Sequence, residues 1–418
     1  MQDVTIAITV DGSDSEVEAT REYPTIKVGY IRVAGSLLDI EKLKSSRSNG
    51  VVNPIELRRS YDAYAFDAAL PGSGLVLPGS SGRDTWRQEI DRFLRDSTID
   101  NRSKDNPNVP DLTLADALLM MHGSPGRPAT DIPIRTCPTC AHKFEPGAEP
   151  RVTKDGSACP ECNGSLYLGD VLRTHDEYVE EGSNQTSMTR VMVISERLMT
   201  LGYMDSFVAE YDNPDEILRR TIFITDGPLA LFGVVAPLKR RLTEYHSALH
   251  KWGQSKGVTV PLLVGIEKSG RFVEHAELIK ELIPKGYVMN LTTKYINRIT
   301  GRPANHVYGK DEFYGRRFVY RTNAGDPLVI TVPPRAGVLP YEGEGAEDFA
   351  SYPTLRTVCE VLDRVRTRLY PNAVIPVALA HNAASLPLGV GHSVLRAMAQ
   401  RGIGLPKNTQ IRYRSPFP

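Results

Sequence analysis

The chain has 418 residues, enough for two or three domains of ordinary size or for one large domain with insertions. Hydrophobic residues make up 41% and charged residues 24%, so a sizeable core is expected, with the charge content of an ordinary soluble protein. The formal net charge is zero, which excludes a nucleic-acid binder driven by bulk charge and leaves only a local basic patch for such contacts.

The longest apolar stretch, 228–238, is too short to cross a bilayer. The N-terminus lacks the basic start and apolar run of a signal peptide, so the expected location is the cytoplasm. In that reducing compartment, four cysteines in two CxxC pairs point to a metal site rather than disulfides.

In chain order, a short strand at 4–10 runs into Asp11-Gly12-Ser13, and a second strand over 25–33 alternates Ile26, Val28 and Tyr30. The Gly/Ser-rich stretch 70–82 predicts a loop. A helix follows from about Asp84, with Trp86, Ile90, Phe93 and Leu94 on one face and a capping box from Thr85 and Gln88. Residues 96–110 are polar and read as an exposed loop, followed by the cysteine module and an apolar helix over about 187–203. The remainder alternates: strand 221–225, helix 238–252, strand 258–266, helix 274–283, a hairpin of 317–322 with 328–332, helix 355–370, buried strand 373–379 and helix 392–400. This pattern predicts an α/β fold, a mixed sheet flanked by helices. The expected division is 1–130 for the N-terminal part of the core plus insertion, 131–170 for a zinc-ribbon insert, and 171–418 for the rest of the core.

Cys137-Pro138-Thr139-Cys140 and Cys159-Pro160-Glu161-Cys162 are separated by 18 residues. Two such turns supply four thiolates in a tetrahedron, which suits Zn²⁺ and leaves no open position for chemistry. The pattern fits a staple for an insertion too small to bury its own core, or a finger touching DNA or protein; the staple is favoured. Gly164 is expected to help the second turn.

Asp11 and Asp226 each close an apolar strand and are each followed by glycine. Adjacent in one sheet, they would set two carboxylates at one edge, where a hard divalent cation binds and phosphodiester hydrolysis by two metals becomes possible. Taken alone, Asp11-Gly12 also reads as a hairpin turn. Glu196 is the candidate third acid, since a glutamate in an apolar helix needs a partner or a metal if buried; the alternative is an exposed position paired with Arg197 or water, with Glu210 and Glu216 as the alternate acids. Lys268 ends a further strand and could meet a phosphate, and Glu267 beside it could join the metal. His381 follows the apolar run 374–380 and could activate water, protonate a leaving group or ligate a metal. Basic clusters occur at Arg219-Arg220, Lys239-Arg240-Arg241, Arg316-Arg317 and Arg412/Arg414, each read as a solvated face rather than a phosphate track.

Four segments in order resemble the NurA family of DNA-end-processing nucleases: Val10-Asp11-Gly12-Ser13, Asp226-Gly227-Pro228-Leu229, Gly265-Ile266-Glu267-Lys268, and Pro376-Val377-Ala378-Leu379-Ala380-His381. The resemblance covers roughly 1–35 and 186–400. It implies an RNase H-like core, dependence on Mn²⁺ or Mg²⁺, and endo- and exonuclease action on DNA. It also implies a homodimer that works with a HerA-type hexameric ATPase translocase, in DNA repair or antiviral defence. Carried over residue by residue, Asp11, Asp226 and Glu196 would bind the catalytic metal, Lys268 would be a basic active-site residue, and His381 the C-terminal histidine. The family's tyrosine several residues before that histidine has no counterpart in register, since Ala373 lies near the place and Tyr370 is offset. The segment from about 40 to 185 lies outside the resemblance. Two rivals stay open: an RNase H-like nuclease for RNA or structured substrates, and a non-catalytic zinc-ribbon adaptor linking an ATPase to DNA.

Overall fold

The computed structural model describes residues 3–20, 25–45, 47–48, 51–52, 57, 59–104, 107–303, 305–367, 374–386 and 390–402. Eight strands form its main sheet: β1 (Ile6–Glu18), β2 (Lys27–Asp39), β3 (Tyr61–Pro71), β4 (Thr221–Asp226), β5 (Leu263–Glu267), β6 (Val288–Asn290), β7 (Arg316–Arg321) and β8 (Pro327–Val332). Their spatial order is β6-β7-β8-β5-β4-β1-β2-β3. β1, β2 and β3 make an antiparallel meander, while β4 runs parallel to β1 and β5 parallel to β4. Five strands in the order β3-β2-β1-β4-β5 with these directions form an RNase H-like core, as the resemblance implied. The antiparallel β8, β7 and β6 extend it beyond β5.

Strand alternation sends side chains to two cores. Ile8, Val10, Ile31, Val33 and Phe223 face a large cluster that includes helices α1 (Gly82–Asp96), α2 (Leu114–Met121) and α3 (Gln185–Glu210). Ala7, Leu38, Ile222, Ile224, Val264 and Ile266 face the opposite side, covered by α6 (Leu355–Val365) and α7 (Ile375–Ala384). Helix α4 (Lys239–Ser255) also joins the first cluster, α5 (Arg271–Ile279) packs on a third, and α8 (Val390–Gly402) covers the far end of the β1–β2 hairpin. Helix α3 is apolar around most of its circumference because it lies between β1–β2 and α2, a burial that needs no exposed polar face.

Several boundaries differ from the sequence expectations, each for a physical reason. β1 does not stop at Asp11; it continues to Glu18 because β2 pairs with it throughout, so Asp11-Gly12 is not a turn. α1 is capped by Ser81, whose hydroxyl accepts from the Asp84 N–H, rather than by a Thr85–Gln88 box. The 96–110 segment carries a short strand, Thr98–Asp100, paired with Leu112–Thr113. The strand expected over 258–266 is confined to Leu263–Glu267; Pro261, which lacks an N–H, sits before it. The helix expected to reach Tyr370 ends at Val365. The largest error is 373–379, expected as a buried strand: from Ile375 the chain is helix α7, with Pro376 in its first turn and alanines at 378, 380, 383 and 384. A short apolar run cannot tell strand from buried helix by period alone, and the alanines carried the decisive propensity.

Candidate metal centres

Register brings Asp11 and Asp226 together. Val10 pairs with Thr225 across the parallel β1–β4 ladder, so the next residue of each strand emerges beside the other on the same face. β4 stops there because Gly227 adopts φ +83° and Pro228 follows. Above the pair, α7 delivers His381, whose Nδ1 lies 2.9 Å from Asp11 Oδ2. One donor atom each from Asp11, Asp226 and His381 lies within 4.8 Å of the others. Lys268, just past the end of β5, pairs its Nζ with Asp226 Oδ2.

The electrostatics are those of a site short of positive charge. Burial, then the neighbouring Asp226 carboxylate, pushes the Asp11 carboxyl up to about 6, against the opposing pull of Lys268 and His381. Two adjacent carboxylates and an imidazole form a donor set that a divalent cation would satisfy, while the Lys268 ammonium only offsets their charge. Ligand atoms on one small octahedral ion stand about 3–4 Å apart, which the observed convergence accommodates. Asp11, Asp226 and His381 are therefore the residues that could hold a metal ion, with carboxylate oxygens suited to Mg²⁺ or Mn²⁺.

Glu196 approaches from the other side of the sheet. Alternation along β1 places Gly12 on the α3 side, and a Cβ there would fall 2.8 Å from Glu196 Oε1 and 2.7 Å from Met192 Cγ. The glycine thus makes room for the helix. Glu196 is buried, and burial pushes its carboxyl well above the usual range; Arg197 opposes this, while Asp11 and Asp226 add to it. Arg197, equally buried, lies 3.4 Å from Glu196 and donates to the Pro228 carbonyl at 3.1 Å. The two residues do pair, but inside the protein rather than on an exposed helix face. Glu196 is not in the three-residue group above, although it feels both aspartates.

Glu267 does not join the aspartates: Arg317 Nε holds it at 2.6 Å, and the guanidinium lies over the Phe272 ring. The Arg316-Arg317 cluster is therefore internal, not a solvated face; Arg316 bonds the Pro340 and Leu291 carbonyls and Asn290. Arg240 and Arg241 both pair with Glu244, and Arg220 reaches Thr5. Arg412, Arg414 and Tyr370 lie outside the described residues.

The four cysteines meet as the spacing predicts, with sulfurs within 4.8 Å of one another. Cys137 and Cys162 Sγ are 3.8 Å apart and Cys140 and Cys159 Sγ 4.0 Å. A tetrahedron with Zn–S bonds of about 2.3 Å has edges of about 3.8 Å, so the residues fit Zn²⁺. The two halves repeat the same backbone turn. Ala141 and Asn163, each just after a CxxC, are left-handed, and each N–H returns to the carbonyl of the first cysteine at 2.9 Å. The left-handed positions are thus not at Gly164, which instead leaves space beside Cys162 and Thr139. Cys137, Cys159, Ile132, Val152 and Leu166 belong to the same cluster as α1 and α3. Arg87 of α1 fastens the module, donating to both oxygens of buried Asp170 at 2.8 Å and to the Ser165 carbonyl at 2.7 Å. Sequence reading missed this clamp, because nothing local marks an arginine in an amphipathic helix as buried.

Fold and site define an α/β protein with an RNase H-like sheet, a carboxylate–imidazole group that could hold a metal ion, and a four-cysteine group that could hold zinc. No protein-family model matches the chain, and no curated protein matches it in sequence. Among solved structures, the NurA nuclease from Sulfolobus solfataricus is similar over 99% of this chain and 88% of that one, at 10% identity and a TM-score of 0.35. No helix among the described residues is long and apolar enough to cross a membrane.

Proposed function

We propose that the chain is a metal-dependent DNA nuclease that hydrolyses phosphodiester bonds, with Asp11 and Asp226 as its metal-binding carboxylates. The observation that carries this reading is the in-register pairing of those aspartates with His381 lying on Asp11. Bound Mn²⁺ or Mg²⁺ would supply Lewis-acid stabilisation of the phosphoryl oxygens and an activated water. The chain's own residues supply the rest. Asp11 and Asp226 hold the cation. Lys268, which pairs with Asp226 at the edge of the site, is placed where its ammonium would meet a phosphate oxygen. His381, whose Nδ1 lies on Asp11, would complete the protein ligands of that cation. Glu196 backs the site as the third acid from beneath Gly12. Zn²⁺ on Cys137, Cys140, Cys159 and Cys162 serves as a structural staple of the insert.

The ordered motifs that resemble NurA extend the reading to a cytoplasmic homodimer that takes DNA from a HerA-type hexameric translocase, in end processing or antiviral defence. The net charge of zero agrees with a nuclease to which a motor delivers DNA. The test is digestion of matched single-stranded DNA, duplex DNA and RNA with Mn²⁺, with and without the translocase. Cleavage of DNA supports the reading; cleavage of RNA with DNA untouched overturns it in favour of an RNase.

A further inference from the structure

The last turn of α7 docks on one cross-strand row of the meander. Ser13 pairs with Arg32, and Arg32 with Asp67, so the three side chains project from one face of β1, β2 and β3. It is the face of Asp11, two residues back along β1. Asp11's own row continues as Ala34 and Ala65, whose small side chains let a helix lie close.

The polar row bonds the helix end directly. Arg32 Nε donates to the Ala383 carbonyl at 2.7 Å. The Ser13 hydroxyl donates to the Ala384 carbonyl and accepts from the Leu386 N–H at 3.1 Å. Arg32 Nη1 is in turn held by Asp67, at 3.0 and 3.3 Å from its two oxygens. Terminal helix carbonyls lack partners within the helix and favour positive charge, so a guanidinium and a hydroxyl suit this place. His381 lies within the same turn, its carbonyl accepting from Ser385 Oγ at 2.7 Å. Its side chain is 60% exposed, so packing alone does little to fix the ring. Its place on Asp11 is therefore set by how α7 is seated, through buried Val377, Ala380 and Ala384 and through the bonds at the helix end.

We infer that Ser13, Arg32 and Asp67 form a positioning row for the metal centre, fixing the end of α7 and through it the Asp11–His381 contact. The inference rests on the reading of Asp11, Asp226 and His381 as that centre. None of the three residues touches the reacting atoms; they act through His381.

The test is Mn²⁺ affinity of the full chain, read by water-proton relaxation, for wild type, Arg32→Ala, His381→Asn and the double variant. Loss of a residue that orients a metal ligand weakens affinity about 10-fold or more. Arg32→Ala is expected to show such a loss, Arg32→Lys to recover part of it, and Arg32→Ala to add nothing once His381 is Asn. Ser13→Ala, which removes only a hydroxyl, is expected to weaken binding in the same direction and to be equally silent in the His381→Asn background. Full affinity in both Arg32→Ala and Ser13→Ala overturns the positioning role, as do losses that multiply with that of His381→Asn. A wild type that binds no Mn²⁺ instead overturns the metal-centre reading itself, and the row's role with it.

Discussion

Replacing Gly12 with alanine perturbs the protein at the point where helix α3 presses on β1. The added methyl would stand 2.7 Å from Met192 Cγ and 2.8 Å from Glu196 Oε1. Carbon atoms in contact sit about 3.5 Å apart or more, so helix and strand must separate by roughly 0.8 Å or Met192 must leave its position. Overpacking of this size costs about 1–3 kcal/mol. Alanine recovers about 0.5–1 kcal/mol of backbone entropy that glycine forfeits in a strand. The net expectation is a loss of roughly 1 kcal/mol, within a range of about 0–2.5 kcal/mol. The methyl also drives Glu196 away from the aspartates, and a misplacement of about 1 Å at a catalytic constellation can cost on the order of 100-fold in rate. Urea midpoints and Mn²⁺-dependent cleavage measure the two effects. A Gly12→Ala protein with the wild-type midpoint and full activity would refute the claim that this glycine exists to admit the helix.

Three further outcomes follow from the interior. Arg87→Ala leaves buried Asp170 without its bidentate partner, so a loss of about 3–5 kcal/mol is expected by denaturant titration, and a loss under 1 kcal/mol would contradict the clamp. Metal analysis is expected to find zinc bound to the chain and lost in Cys140→Ser, with the 131–170 segment becoming protease-sensitive; an unchanged digestion pattern after zinc loss would show that the staple is dispensable. His246 and His250 are buried and His122 is half-buried, and loss of solvent is the main force depressing His122, His246 and His250 to about 4, 3 and 4. The unfolded chain then takes up protons first as pH falls, so stability drops from about pH 6.5 toward 4, by up to about 1.4 kcal/mol per pH unit per histidine. The raised carboxyls of Asp11 and Glu196 act in the opposite sense, so the histidine contribution is read by difference: a pH dependence between pH 7 and 5 that is the same in wild type and His246→Gln would contradict that burial.

Much of the sheet was legible because β4, β5, β7 and β8 are short apolar runs bounded by turn residues. Asp11 and Asp226 were legible for the same reason, each standing at the limit of such a run. The extension of β1 past Asp11 was hidden, since Gly12, Ser13 and Asp14 look like a turn and only pairing with β2 makes them strand. His381 was found from its place after an apolar run, though that run proved to be helix α7. The carboxylate's approach through Gly12, the Arg87–Asp170 clamp and the Glu267–Arg317 pair depend on contacts between residues far apart in the chain. Local pattern carries no trace of those. The cysteines stand at the other extreme, because the ligand spacing is itself the structure.

The most direct test of the central claim is DNA cleavage by purified protein with Mn²⁺, comparing wild type with Asp11→Asn and Asp226→Asn, alongside Mn²⁺ binding. Asparagine keeps the shape and removes the charge that a hard cation requires. Wild type is expected to bind Mn²⁺ and cut, and each variant to lose both while keeping its fold by circular dichroism. Variants that cut DNA as fast as wild type would contradict the assignment of Asp11 and Asp226 as the metal-binding pair.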